Sequence, residues 1–338
     1  MAEYLFVLGR DAELALLELE SFFSSESVRK HKGNFVIVET GKEFDVEDFG
    51  GITKIGVSIN GFDELVFDRN KLTYSFYGED RLFLELKKRF KEEKIKASFR
   101  KFELSPRNLD FEIVEFDNKL FLIKEVSKPK KYKMRDEVRP SFDAKKVISI
   151  RLAKMMINFS KAEREILDPF CGNGTILQEG VLKGLDVIGV DMKINPAKKN
   201  LKWLKKNIPF TANYKLIEGD AKKISSYITK AECCVTEPYM GPYFTKLPST
   251  SKAKRIVRVL MELYGGMFRE LEKVVEKRVV MIVPSIRTYS KNITMDFSSI
   301  LESHGFRLVK SGLVELPISY NMPKAKVLRE IWVMEKFK

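Results

Sequence analysis

The chain has 338 residues, 44% of them hydrophobic, and carries 61 Lys and Arg against 47 Asp and Glu, a formal net charge of +14. That length predicts two or three domains with real cores; three cysteines (Cys171, Cys233, Cys234) without a Cys-x-x-Cys pair, and only His31 and His304, argue against a disulfide framework, any metal site and histidine-based catalysis. No apolar run reaches the roughly 18 residues of a membrane span and the charged N-terminal stretch is not a signal peptide, so a cytoplasmic protein is expected, whose positive charge suits either a solvated lysine-rich surface or a polyanionic partner.

In chain order, Glu3–Gly9 reads as a short strand. Asp11 then caps a helix to Phe23, with apolar residues recurring at three and four. Asn34–Thr40 is a second strand, and Ile52–Leu65 continues the alternation. Residues 1–60 therefore read as a small α+β unit. A second unit, 61–126, opens with the strand Lys71–Gly78 and the helix Glu79–Ile95. Three strand-like pieces follow: Ala97–Glu103, Asn108–Asn118 and Lys119–Ser127. The stretch "SKPKKYKMRDEVR", 127–139, is polar, basic and aperiodic, and reads as a linker. From 140 to 338 strands and helices alternate: a helix over Asp143–Ser160, then strands at Glu165–Phe170, Asp186–Met192, Tyr214–Ala221, Ala231–Thr236 and Arg278–Ser285, with helices between them. The segments Phe306–Leu316 and Lys326–Lys336 read as a closing hairpin. This is the pattern of an α/β fold with a parallel sheet covered on both faces and an antiparallel edge.

The most informative stretch is "ILDPFCGNGTILQEG". A strand ends at Asp168, a glycine-bearing turn follows, and Thr175 opens a helix. Gly172 and Gly174 let the backbone pass close to a ligand, at the strand end where doubly wound sheets bind ligands. The Lys-Ser/Thr of a phosphate loop is missing. Asp191 ends the next strand, at a spacing that suits a carboxylate accepting both ribose hydroxyls. Asp220 ends the third, placed to accept from an adenine amine. Any one of these acids could instead be a cap or a turn residue.

"DPFCGNGTILQEG" resembles the first motif of class I S-adenosylmethionine-dependent methyltransferases that act on amino groups, and "VIGVD" and "EGDA" resemble the cofactor motifs that follow it. Over nearly its full length the chain is similar to the THUMP-domain tRNA guanine-N2 methyltransferases, the archaeal and eukaryotic guanosine-10 type. "YLFVLGRDAELALLELESFF" and "RPSF" carry that likeness outside the catalytic domain, and it is weaker over residues 60–125. The resemblance implies a class I, Rossmann-like methyltransferase domain behind an N-terminal α+β region containing a THUMP domain. It implies S-adenosylmethionine as cofactor, tRNA as partner and no metal. It places Asp168, Gly172 and Gly174 at the methionine part, Asp191 at the ribose, and Asp220 with Ala221 at the adenine. Phe170, Thr175 and Met192 flank these positions and complete the expected cofactor set.

The strand after Asp220 departs from the family. Where the relatives carry Asp/Asn-Pro-Pro-Tyr, this chain has Thr236-Glu237-Pro238-Tyr239. In the family pattern the first side chain and the next carbonyl accept from the exocyclic amine, and the aromatic stacks on the base. Positioning of that kind carries much of such a rate gain. Here Glu237 could supply the carboxylate one position later, or Thr236 with backbone carbonyls could orient the amine, or catalysis could be lost and a tRNA-binding module remain. Tyr243 and Phe244 are either a second stacking surface or core. Two basic stretches could hold RNA: Lys87, Lys88, Arg89, Lys94, Lys96, Arg100 and Lys101, interleaved with phenylalanines, and Lys130, Lys131, Lys133 and Arg135 in the linker. The first stretch could equally be a solvated helix face. A monomer is expected.

Overall fold

The computed structural model describes residues 1–141, 148–320 and 324–337. They form two compact units, Met1–Lys130 and Lys131–Lys338.

The first unit contains β1 (Ala2–Leu8), α1 (Ala12–Phe23), β2 (Val28–Lys32), β3 (Phe35–Thr40), β4 (Ile52–Ile59), β5 (Lys71–Tyr77), α2 (Asp80–Glu92), β6 (Lys96–Phe99), β7 (Phe111–Phe116) and β8 (Lys119–Val126). The two stretches read separately from the sequence share one eight-stranded sheet, ordered β2-β3-β1-β4-β8-β7-β5-β6. The seam is the antiparallel pair β4–β8, which runs from Lys54↔Val126 to Ile59↔Leu120. One apolar cluster spans that seam, with Leu5 and Val7 of β1 against Phe121 and Ile123 of β8. Near the seam Lys54 is fully buried and donates to both oxygens of Glu112, to the Glu103 carbonyl and, 4.6 Å away, faces the Phe102 ring. Burial lowers the Lys54 pKa and the Glu112 carboxylate partly restores it.

The second unit begins within α3 (Pro129–Val138). The predicted linker is thus mostly a helix. Periodicity misses it because its docking side is charged, not apolar. Arg135 pairs with the buried Glu179, and Arg139, itself buried, donates to Thr175 Oγ1 at 2.9 Å. The next described helix is α4 (Ile150–Ser160), with Ser149 Oγ accepting from Leu152 N at its N-cap. The expected start at Asp143 lies outside the described residues. There follow β9 (Glu165–Asp168), α5 (Thr175–Leu182), β10 (Asp186–Asp191), α6 (Asn195–Asn207), β11 (Tyr214–Glu218), a 3-10 turn (Ala221–Ser226), β12 (Cys233–Thr236), α7 (Thr250–Val274), β13 (Arg278–Arg287), β14 (Asn292–Ile293), α8 (Phe297–Ser303), β15 (Phe306–Leu308), β16 (Ile318–Ser319) and β17 (Val327–Lys336).

The sheet runs β11-β10-β9-β12-β13-β17-β15. Its strands β9 to β13 are parallel, and β17 is antiparallel to both β13 and β15. The chain moves outward from β9 to β11 and then returns to β12 on the other side of β9. The switch point therefore lies between β9 and β12, where open α/β sheets bind ligands at the carboxyl ends.

Candidate active site

Each of the three acids makes the same local bond, Asp168 and Asp191 as the last residues of β9 and β10, and Asp220 two residues past the end of β11, as the cap of the 3-10 turn. Asp168 Oδ1 accepts from Phe170 N at 3.1 Å, Asp191 Oδ1 from Lys193 N at 2.9 Å, and Asp220 Oδ1 from Lys222 N at 2.9 Å. Such turns let a short carboxylate end a strand and steer the chain away from it. The structural use of the acids is therefore real, but it consumes one oxygen each. Asp191 Oδ2 goes further and accepts from Gly172 N at 2.9 Å, tying the end of β10 to the glycine turn after β9. Gly172 and Gly174 have φ of +49° and +75°. A Cβ at Gly172 would meet protein only at 3.9 Å, so the glycine leaves the backbone bare toward the pocket.

The turn is held from behind by a residue that the motif reading missed. Asn200 of α6 is fully buried; Oδ1 accepts from Ser141 N at 2.9 Å, and Nδ2 donates to the Ser141 and Asn173 carbonyls at 2.8 Å each. An Asn200→Ala change strands these backbone groups, and each such loss costs about 1–3 kcal/mol. We expect at least about 3 kcal/mol less stability in urea denaturation, with weaker cofactor binding.

At the switch point Asp168, Phe170, Cys171, Gly172, Asn173, Thr175, Ile176, Ile148 and Glu237 line a small pocket of about 50 Å³. That holds the end of a ligand, not a whole nucleoside, which takes several hundred Å³. Asp168 is almost wholly buried, and burial pushes its carboxyl up to about 7 against the opposing hydrogen bonds from Thr236 and Phe170; the charges of Asp191 and Glu237 add to the rise.

The Thr-Glu-Pro-Tyr stretch divides its work. Thr236 is fully buried and its hydroxyl donates to Asp168 Oδ1 at 2.7 Å. The parallel neighbours β9 and β12 end side by side, so the threonine's one donor is taken by its neighbour, while its oxygen keeps acceptor capacity. Glu237 instead reaches the pocket. Its Oε1 accepts from Arg329 Nε at 3.2 Å and is ion-paired with Nη2 at 3.1 Å. Burial raises the Glu237 pKa, and Arg329 opposes that rise. Tyr239 is half exposed, and its carbonyl accepts from the buried Tyr264 hydroxyl at 2.9 Å, which fixes the turn after Pro238. Phe244 belongs to the core with Ala253, Val257 and Ile286, whereas the Tyr243 ring is largely exposed. Of the outer cofactor positions, Met192 is exposed, Ala221 is buried, and Thr175 receives the Arg139 hydrogen bond.

The basic candidates separate in the same way. Arg89 donates to the Leu65 carbonyl and pairs with Glu93 and Asp63, and Arg135 is taken by Glu179. Both are engaged within their own units. Lys88 pairs only at 3.6 Å with exposed Glu92, and Lys87 lies 4.2 Å over the Phe83 ring. Lys101 lines a groove of about 830 Å³ in the first unit with Lys30, Lys32, Tyr77, Phe99 and Phe102. Phe90 is core. Lys94, Lys96, Arg100, Lys130, Lys131 and Lys133 are exposed. Among the described residues no group of His, Cys, Asp and Glu could hold a metal, and no helix is long and apolar enough to cross a membrane.

Residues 138–240 match the RMKL-like methyltransferase domain family, UPF0020. These residues carry the likeness to a methyltransferase domain. The match takes in the glycine turn, all three acids and Thr236-Glu237-Pro238-Tyr239. A tRNA (guanine(10)-N2)-dimethyltransferase of Pyrococcus abyssi is 30% identical over 185 residues, 53% of this chain and 49% of the relative. The protein of the same description from Methanothermobacter thermautotrophicus is 28% identical over 149 residues, 39% of this chain and 42% of the relative. The matches thus span about half the length of these curated relatives. TrmN from Thermus thermophilus shares the fold, aligning over 99% of this chain and 100% of its own with a TM-score of 0.50 at 14% identity. The resemblance to the tRNA guanine-N2 methyltransferases read from the motifs holds in these comparisons, and the methyltransferase domain has the class I strand order described above.

Proposed function

We propose that the protein transfers methyl groups from S-adenosylmethionine to the exocyclic N2 amine of a guanosine in tRNA, at position 10. The observation that carries this reading is the pairing, in one pocket at the switch point, of the buried Asp168 with Glu237, which stands one position after the place of the family's Asp or Asn. The donor set fits the cofactor. Its sulfonium is a cation, and the pocket offers two carboxyls of which Arg329 answers one. Asp168 Oδ2 takes no hydrogen bond among the described residues, and the two Asp191 oxygens each keep a lone pair after their backbone bonds. Asp168, Phe170, Gly172, Gly174 and Thr175 would hold the methionine end, Asp191 and Met192 the ribose, and Asp220 with Ala221 the adenine. When bound, the cofactor supplies an electrophilic methyl on a positively charged sulfur.

The chain's own residues then do the rest. Glu237 Oε2 accepts from an N2–H of the base and aims the nitrogen lone pair at the methyl group. It also takes up the proton that nitrogen sheds once it has four bonds. Positive charge grows on that nitrogen during transfer, so a fixed carboxylate stabilises it. The half-exposed Tyr239 stacks on the guanine. Residues 61–126 would be the THUMP domain, and the lysines of α3 would contact phosphates.

Incubation with unmodified tRNA transcripts and S-adenosylmethionine, followed by nucleoside mass spectrometry, tests the reading. N2-methylguanosine or its dimethyl form supports it; no methylated nucleoside across a full tRNA set, with folded protein that still binds tRNA, overturns it in favour of a binding module. A Lys130→Ala, Lys131→Ala, Lys133→Ala triple variant should weaken tRNA binding and make the slope of log K against log salt shallower by about 2–3, since each phosphate contact contributes roughly 0.9 to that slope. Filter binding at several salt concentrations reads both.

A further inference from the structure

We propose that Arg329 is the positioning residue of this site: its guanidinium forks onto Oε1 of Glu237 and holds that carboxylate so that Oε2 receives the target amine. The inference rests on the function proposed above and concerns a residue outside every motif of the sequence. Arg329 lies on the antiparallel strand β17, opposite Pro284 of β13, more than ninety positions from its partner. Its Nε donates to Oε1 at 3.2 Å, and Nη2 lies 3.1 Å from the same oxygen as an ion pair. The Glu237 side chain is only 14% exposed, and its other oxygen makes no hydrogen bond among the described residues while the residue lines the Asp168 pocket.

The need for such a clamp follows from the substitution itself. Thr236 takes the family's Asp/Asn position and the carboxylate moves to Glu237, whose side chain has one more rotatable bond than an aspartate or asparagine, so holding it in one conformation costs more side-chain entropy. A planar guanidinium fixes both distance and direction where a lysine would act as a point charge. The charges require it too. The groups facing Glu237 are Asp168 from β9, the Tyr264 hydroxyl from α7 and Arg329 from β17, with Asp191 of β10 beyond Asp168. Without Arg329 two carboxyls would share a mostly dry pocket with no cation among the described lining residues, which favours protonation of one of them. The Glu237 carboxyl must be ionised to take up the amine's proton, so with the cofactor saturating it contributes the acid limb of the single-turnover rate.

The test uses Arg329→Met and Arg329→Lys in the full chain. In single-turnover methylation of tRNA, Arg329→Met should lower the rate at pH 7 by at least tenfold, move the acid limb up by one pH unit or more, and recover part of the loss at pH 9. S-adenosylmethionine and tRNA affinities should stay within about threefold. Arg329→Lys should fall between the two. A rate within twofold of wild type, or an equal loss at every pH with a lowered Tm, would show that Arg329 is only structural. An independent readout covers the case in which no tRNA is methylated. The Glu237 carboxyl carbon is followed by 13C NMR, its signal assigned by its absence in Glu237→Gln. Its titration midpoint should rise by at least one pH unit in Arg329→Met even in an inactive protein; an unchanged midpoint overturns the proposal whatever the activity.

Discussion

Glu237→Gln lowers the rate of N2 methylation about a hundredfold and leaves S-adenosylmethionine affinity within a few fold. The substitution keeps the side-chain length and its place beside Arg329, but it removes the charge that answers the positive nitrogen. It also removes the proton acceptor. Positioned acceptors and fixed charges of this kind contribute about 10²–10³ in rate. The amide brings a second cost: it presents N–H donors in a place where both Arg329 and the substrate amine already donate. One of its neighbours is then left facing a donor in a nearly dry pocket. Single-turnover rates with a tRNA transcript measure the effect, and thermal unfolding of the variant separates it from loss of structure, since Arg329 loses its charge partner. A rate within threefold of wild type would remove Glu237 from the reaction and leave the amine to backbone carbonyls.

S-adenosylmethionine affinity rises with pH up to about 7 and is level above it, by as much as a hundredfold between pH 5 and pH 8. The group responsible is Asp168, whose carboxyl burial pushes up to about 7. A cationic sulfur favours the ionised form, so below that value binding must first drive a proton off, at a cost approaching tenfold in affinity per pH unit. Calorimetry in two buffers of different ionisation enthalpy would show a proton released at pH 6 and none at pH 8. S-adenosylhomocysteine, with a neutral sulfur, should follow the same profile less steeply. Asp168→Asn should flatten the profile and weaken binding at pH 8 to near the wild-type value at pH 5. A flat profile in the wild type would refute the assignment. The same shift has a signed effect on the free protein. A carboxyl raised in the folded state binds its proton more tightly than in the unfolded chain, so its contribution to stability falls as pH rises from about 4 to about 7 and is constant above.

Much of this protein could be read from its residues alone. The acids Asp168, Asp191 and Asp220, at or just past strand ends, with glycines at 172 and 174, are local features. Each is set by a turn of a few residues, and all three turns form as short-range hydrogen bonds. Alternation of strands and helices after residue 140 determined the parallel sheet for the same reason: period and punctuation are local. The helix α3 was not legible because its docking rests on Arg135 and Arg139 meeting Glu179 and Thr175, charged groups that carry no apolar period. The first unit's single sheet was hidden because the pairing of β4 with β8 joins segments some sixty residues apart, and no strand announces its neighbour.

The division of labour between Thr236 and Glu237 was likewise undecidable from sequence. Both end the same strand, and either could have faced the pocket. Only the side-by-side ends of β9 and β12 assign the threonine to Asp168. Only the return of the chain through β17, the last strand, brings Arg329 to the glutamate. Short-range chemistry thus determined which residue types stand at the carboxyl edge of the sheet. The order of strands, which is set by burying the faces of a whole sheet, decided which of them touch.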